Sequence, residues 1–175
     1  YLAVSSAGRA RVTFQSEDLR IEPRPLHREA PRPRALRASS AASGHAAEAL
    51  LTREPSSDWR PAPGDSAPWL ELDLGELREW GGLLVERSGG ATPVALRVLA
   101  SADGVGWEPL VSDPTAPAHA FLRTGEAESR FVRLALPAGF RGGISRIAVV
   151  PIELAVSPVR FAAAAARAAP RGRLP

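Results

Sequence analysis

The chain has 175 residues, a formal net charge of +3, and neither cysteine nor methionine. That length suits one ordinary domain with attached segments, able to bury about 70% of its unfolded surface without a metal or a disulfide. The lack of cysteine excludes a disulfide framework and any thiolate metal site, and no apolar run is long enough for a signal peptide or a membrane span.

All 22 basic residues are arginine, and alanine, glycine and proline are abundant, which reads as a high-GC genome more than as a function. The chain opens at Tyr1 and is expected to be a piece of a longer protein. Residues 1–21 hold two strand-like runs, "YLAVSS" and "ARVTF", with a hairpin turn expected at Ala7-Gly8-Arg9. Residues 22–37, "EPRPLHREAPRPRALR", contain four prolines and five arginines and predict an extended, solvated linker. Glu22 and Glu29 dilute its charge and no aromatics interleave for base stacking, so nucleic acid is not an expected partner.

From Ala38 to Val150 the pattern is all-β. A short helical turn is expected over His45–Leu51, and strands over Trp69–Leu74, Gly82–Glu86, Val94–Ser101, Trp107–Val111, Ala120–Arg123, Phe131–Leu136 and Ile144–Val150. "LELDL" places Leu70, Leu72 and Leu74 on one face and Glu71 and Asp73 on the other, where they read as solvated. Residues 157–169, "SPVRFAAAAARAA", predict a helix capped by Ser157 and ended by Pro170, packing on a domain beyond this segment.

Catalytic signatures are missing. A Walker loop needs lysine, and "DGVGWEP" reads as an Asp-Gly turn rather than a dinucleotide loop. His27, His45 and His119 have no paired ligand spacing, and no serine lies in a Gly-x-Ser-x-Gly elbow. A glycosidase pair drawn from Glu71, Asp73 and Glu76 would sit on the outside of a strand, not in a cleft. The segment is therefore not expected to be an enzyme by itself.

Six stretches in order carry a resemblance: "ASS" (38–40), "SGHAAEALL" (43–51), "SSDW" (56–59), "PWLELDLGE" (68–76), "LASADGVGW" (99–107) and "SRFVRLAL" (129–136). Over about 110 residues this order and spacing resembles the discoidin family, the coagulation factor V/VIII type C domain. The resemblance implies a jelly-roll β-sandwich of the galactose-binding type over 38–154, with 1–21 ending an upstream domain or adding to the sandwich and 155–175 leading to a downstream one. It implies a non-catalytic, carbohydrate-binding accessory module of a larger bacterial enzyme, acting outside the cell, at its surface or in the periplasm. The alternative is a structural spacer, docked on neighbouring domains of the same chain.

In such domains ligands meet the loops at one end, here Ala41–His45, Arg60–Ala67, Arg87–Thr92 and Ala138–Gly143. Their small, polar tips lack the bulky apolar spikes that membrane insertion needs. The candidate ligand-binding residues are His45, Arg60, Asp65, Arg87, Phe140 and Arg141. Relatives often hold a structural calcium, but Thr52-Arg53 and Ala148 stand where its ligands would be, so no metal or other cofactor is expected. Arg53 is expected to act there as an internal cation paired with Glu54 or Asp58. Trp59 and Trp69 become framework residues rather than a sugar platform.

Overall fold

The computed structural model describes residues 10–15, 18–23, 31–52, 57–90 and 92–152, the first two of these stretches by their backbone. The helix expected over 157–169 lies outside the described residues, as do Arg53 and Glu54. Strand β1 (Ala10–Gln15) pairs antiparallel with β2 (Asp18–Pro23), Ala10 opposite Pro23 and Gln15 opposite Asp18. "ARVTF" thus pairs forward across residues 16–17, and residues 22–23, assigned to the linker from sequence, close a strand instead. This hairpin is a two-stranded sheet in a compact unit distinct from Ala30–Ala155.

The larger unit is an antiparallel β-sandwich built from β3 (Ala35–Ala38), β4 (Trp69–Ser88), β5 (Val94–Ser101), β6 (Glu108–Ala116), β7 (His119–Ala135) and β8 (Gly143–Val150). One layer runs β3-β4-β7-β5-β6 through the first part of β4 and the last part of β7. The other runs β8-β4-β7 through their opposite halves. β4 and β7 serve both layers because each is far longer than the usual strand, at 20 and 17 residues. The sequence reading split each into two, Trp69–Leu74 and Gly82–Glu86 for β4, Ala120–Arg123 and Phe131–Leu136 for β7, leaving the polar stretch "GELRE" outside the strands. In the fold this polar stretch is a bend, with register shifts between Asp73 and Arg78 and between Trp80 and Gly82. Gly75 takes φ +85° there, and Asp73 Oδ1 accepts its N–H at 2.7 Å.

The core collects the inward positions of both layers: Leu36, Leu70, Leu72, Leu83, Val85, Leu96, Val98, Leu122, Val132, Leu134, Ile144 and Val149. Leu36 belongs to it although the sequence put residue 36 in the linker; β3 pairs Ala35–Ala38 with Leu70–Asp73 and turns Leu36 inward. Trp59 and Trp80 are the largest fully buried side chains, and each indole N–H finds a partner: Ser40 O at 2.8 Å and Ser129 Oγ at 3.0 Å. The helical turn is shorter and later than expected, α1 covering Ala49–Thr52.

On the outer face of the first layer Glu71 and Asp73 are paired rather than solvated. Arg133 Nη2 donates to Glu71 Oε2 at 2.7 Å, and Arg130 grips Asp73 through Nε and Nη2 at 2.9 and 3.0 Å. The Arg133 guanidinium also lies over the rings of Trp69 and Trp107, 4.5 and 3.7 Å from their centroids. The turn after β5 folds back here, held by Asp103 Oδ1, which accepts from Ser101 Oγ and the N–H groups of Val105 and Gly106. A long aromatic and a returning loop cover carboxylates that strand alternation alone would leave in water. Trp59→Ala should therefore cost roughly 3–5 kcal/mol in denaturant unfolding. Trp69→Ala should cost clearly less, because that ring is only half-buried.

Candidate functional site

The loops at one end of the sandwich meet on a single carboxylate. Asp58 lies just before the Trp59 bridge, where Trp59 and Ile144 exchange both backbone bonds at 2.8 Å. That bridge ties the 57–60 segment to β8 and carries Asp58 inside the end of the fold, 8% exposed. Asp58 Oδ1 accepts from His45 Nδ1 at 2.6 Å; Oδ2 accepts from Arg60 Nε at 2.9 Å and from Ser88 Oγ. Gly143 lies directly against the same atoms: a Cβ built on it would collide with Asp58 Oδ2 and Ser88 Oγ. Segments 41–45, 58–60 and 87–89 are thus joined by hydrogen bonds to one side chain, and 142–144 packs against it. Backbone bonds from Ala42 N to Arg60 O at 2.8 Å and from Arg60 N to His45 O reinforce the first two.

Burial pushes the Asp58 carboxyl up, but donors from Ser88, Arg60 and His45 outweigh it and hold it below its ordinary value. An ionised carboxylate can only accept, so the proton of that hydrogen bond sits on His45 Nδ1. His45 Nε2 is then the ring nitrogen left for other contacts.

Beside this junction, loops 87–92 and 137–142 face each other across an open cleft of about 310 Å³. Its described lining includes Arg87, Ser88, Thr92, Phe140 and Arg141 on a floor rich in glycine. Phe140 is half-buried against the core, and Arg141 is exposed. Arg87 is a wall rather than a free hand: its Nη2 donates to Thr92 O at 2.8 Å and to Ala116 O at 3.4 Å, and its Nε is buried without a hydrogen-bond partner. Burial lowers its pKa.

Of the six residues singled out from sequence, Arg87, Phe140 and Arg141 line the cleft, and His45 and Arg60 stand at the junction next to it. Asp65 does neither. Its Oδ2 accepts from Ser39 Oγ and Ser40 Oγ, both at 2.5 Å, and its Oδ1 from Ala67 N at 3.0 Å. It staples the 62–67 loop to the end of β3. Burial raises the Asp65 carboxyl, and the two serines and Ala67 more than reverse that. Asp58 and Ser88, which sequence reasoning did not choose, are central. The signal available was a carboxylate one residue before a core tryptophan, where burial demands partners.

The F5/8 type C domain family model matches residues 35–149. A search of curated protein sequences returns no match. Among solved structures, a Ruminococcus gnavus GH29 fucosidase in complex with fucose is similar at 18% identity and TM-score 0.59; the match covers 67% of this chain and 25% of that one. The chain therefore spans about a quarter of the length of that enzyme. Chitosan-binding module 1 of a chitosanase/glucanase from Paenibacillus sp. IK-5 is similar at 18% identity and TM-score 0.58, over 69% of this chain and 96% of the module. A Clostridium perfringens module, CpGH89CBM32-5, in complex with GalNAc-β-1,3-galactose, is similar at 14% identity and TM-score 0.58, over 66% and 94%. At these identities the likeness is one of fold.

Because the Asp58 carboxyl is lowered in the fold, its contribution to stability is complete above the unfolded carboxylate range, about pH 4, and is lost as pH falls through the folded value. Asp58→Asn should lower the melting temperature at pH 7, and the gap to the parent chain should narrow below about pH 4. Thermal melts of both proteins across pH 2–7 check this, and a gap that is constant with pH would assign the loss to packing.

Proposed function

The chain belongs to the F5/8 type C domain family, a family of non-catalytic binding domains, and on that premise we propose that it is a carbohydrate-binding accessory module of a larger, secreted bacterial enzyme. Its place of action is then outside the cell, at the cell surface or in the periplasm. The sandwich is the module, the Pro/Arg-rich stretch before it a tether, and the segment from 155 onward the lead into a neighbouring domain.

The observation that carries the reading is the cleft between loops 87–92 and 137–142, braced by the Asp58 junction. Its volume of about 310 Å³ suits a terminal sugar better than the length of a polymer. Phe140 supplies the one aromatic surface among the described lining residues, against which the C–H face of a sugar can stack. Arg141, Thr92, Ser88 and the glycine backbones supply hydrogen-bonding groups for hydroxyls. Ser88, in the first loop, is bonded to Asp58, and Gly143, next to the second, packs against the same carboxylate, and such preorganisation lowers the cost of binding. His45 Nε2 and the terminal nitrogens of Arg60 extend the polar rim.

A structural spacer or docking domain is the second reading. It is favoured by Asp65 and Arg87, two of the expected ligand-binding side chains, which are consumed by internal bonds. Binding decides between the two. Titration of galactose- and N-acetylhexosamine-terminated oligosaccharides by calorimetry should detect binding by the parent chain. Phe140→Ala should weaken it about tenfold or more, the affinity lost with one buried aromatic contact. An unchanged affinity in a variant that still melts cooperatively would move the site away from this cleft.

A further inference from the structure

Given the carbohydrate-binding role proposed above, we infer that the cleft selects a carboxylate-bearing sugar, a uronic or other acidic residue, over neutral and cationic ones. The described lining contains two arginines, Arg87 and Arg141, and no aspartate or glutamate. Arg60 adds a third guanidinium at the rim: its Nε and the cleft-lining Ser88 Oγ donate to the same oxygen of Asp58. The carboxylates at this end are turned inward and spent. Asp58 is buried under three donors, and Asp65 is held by Ser39, Ser40 and the Ala67 N–H. Glu86, at the end of β4, pairs with Arg146 at 3.0 Å. Glu48, just before α1, is exposed but is not part of the described cleft lining.

The three cations are not equivalent. Arg87 has its Nη2 committed to carbonyls and its Nε buried, so it contributes positive potential to the wall rather than a hand for the ligand. Arg60 is oriented by Asp58 through Nε, which leaves its terminal nitrogens directed elsewhere; its side chain is about half exposed. Arg141 is exposed, lines the cleft, and makes no ion pair or hydrogen bond among the described residues. A planar guanidinium in that position offers two parallel N–H donors, the geometry a carboxylate accepts and a lone hydroxyl does not. A protonated amino sugar would meet the same three cations with no exposed carboxylate in the lining to receive it, and would be repelled.

The test compares three disaccharides of matched size against the full chain by calorimetry at pH 7: a digalacturonate, the neutral galactobiose, and the cationic glucosamine dimer. The acidic sugar should bind about tenfold or more tightly than the neutral one, with an affinity that falls as salt rises, and the amino sugar should bind least. Arg141→Gln should abolish most of the acid preference, lowering acidic-sugar affinity about tenfold more than it lowers neutral-sugar affinity. Arg97→Gln, an exposed arginine on β5 outside the cleft, should leave the preference intact. Melting curves establish that both variants fold; Arg60→Gln serves if Arg141→Gln does not. Neutral sugar bound as tightly as acidic sugar would overturn the inference and leave the carbohydrate-binding role standing. No binding of any of the three and of the oligosaccharides above would overturn both. Equal loss in Arg97→Gln and Arg141→Gln would show diffuse attraction to a basic protein and would also overturn it.

Discussion

The carboxylate of Asp58 is the constraint on which the loop end of this sandwich depends. Beyond the single Trp59–Ile144 bridge, segments 41–45 and 58–60 share no strand ladder with the paired ends of β4 and β8, where Arg87 faces Ile144 and Ser88 faces Gly143, and they would be costly to order alone. One buried charge brings them together, because an ionised carboxylate removed from water must be fully hydrogen-bonded, and its donors come from His45, Arg60 and Ser88. Gly143 is part of the same arrangement: only a residue without a side chain leaves room for the two oxygens beside it. The cleft next door inherits its shape from this, since Ser88 belongs to both the junction and the lining.

A second set of buried charges works differently. Arg133, between Trp69 and Trp107 and bonded to Glu71, knits β4, β7 and the turn after β5 into a covered outer face. It holds no open cleft, and its aromatic rings are occupied by the guanidinium. The tryptophans that draw the eye in the sequence thus belong to the frame, Trp59 in the core and Trp69 on the outer face. The described lining of the cleft is left with one phenylalanine and two arginines, little aromatic surface beside cationic groups.

The same end illustrates how burial redistributes charge without changing it. Acidic and basic residues are nearly balanced over the whole chain, 19 against 22. At the cleft they are not: the aspartates face inward and the arginines outward or along the wall. A ligand responds to the charges it can reach, so the net charge of the chain says little about what this surface prefers.

Sequence alone determined the family, the all-β sandwich and most strand positions. Those follow from local alternation, turn residues and a spaced set of motifs, all of which are short-range signals. Even so, the Pro/Arg composition put Leu36 in a linker, and alternation cut β4 and β7 into halves and left Glu71 and Asp73 in water. Each error has one cause: the deciding partner lies far along the chain, β4 for Leu36, the opposite strand across a bend for β4 and β7, and Arg133 and Arg130 for the two carboxylates. For the site the division is sharper. His45, Arg60, Arg87, Phe140 and Arg141 could be nominated from loop position and side-chain chemistry, but which of them face a ligand could not. Only the tertiary structure spent Asp65 on two serines, turned Arg87 toward its own carbonyls and made Asp58 the junction, because hydrogen bonding of buried charge is settled between residues that sequence keeps apart and packing brings together.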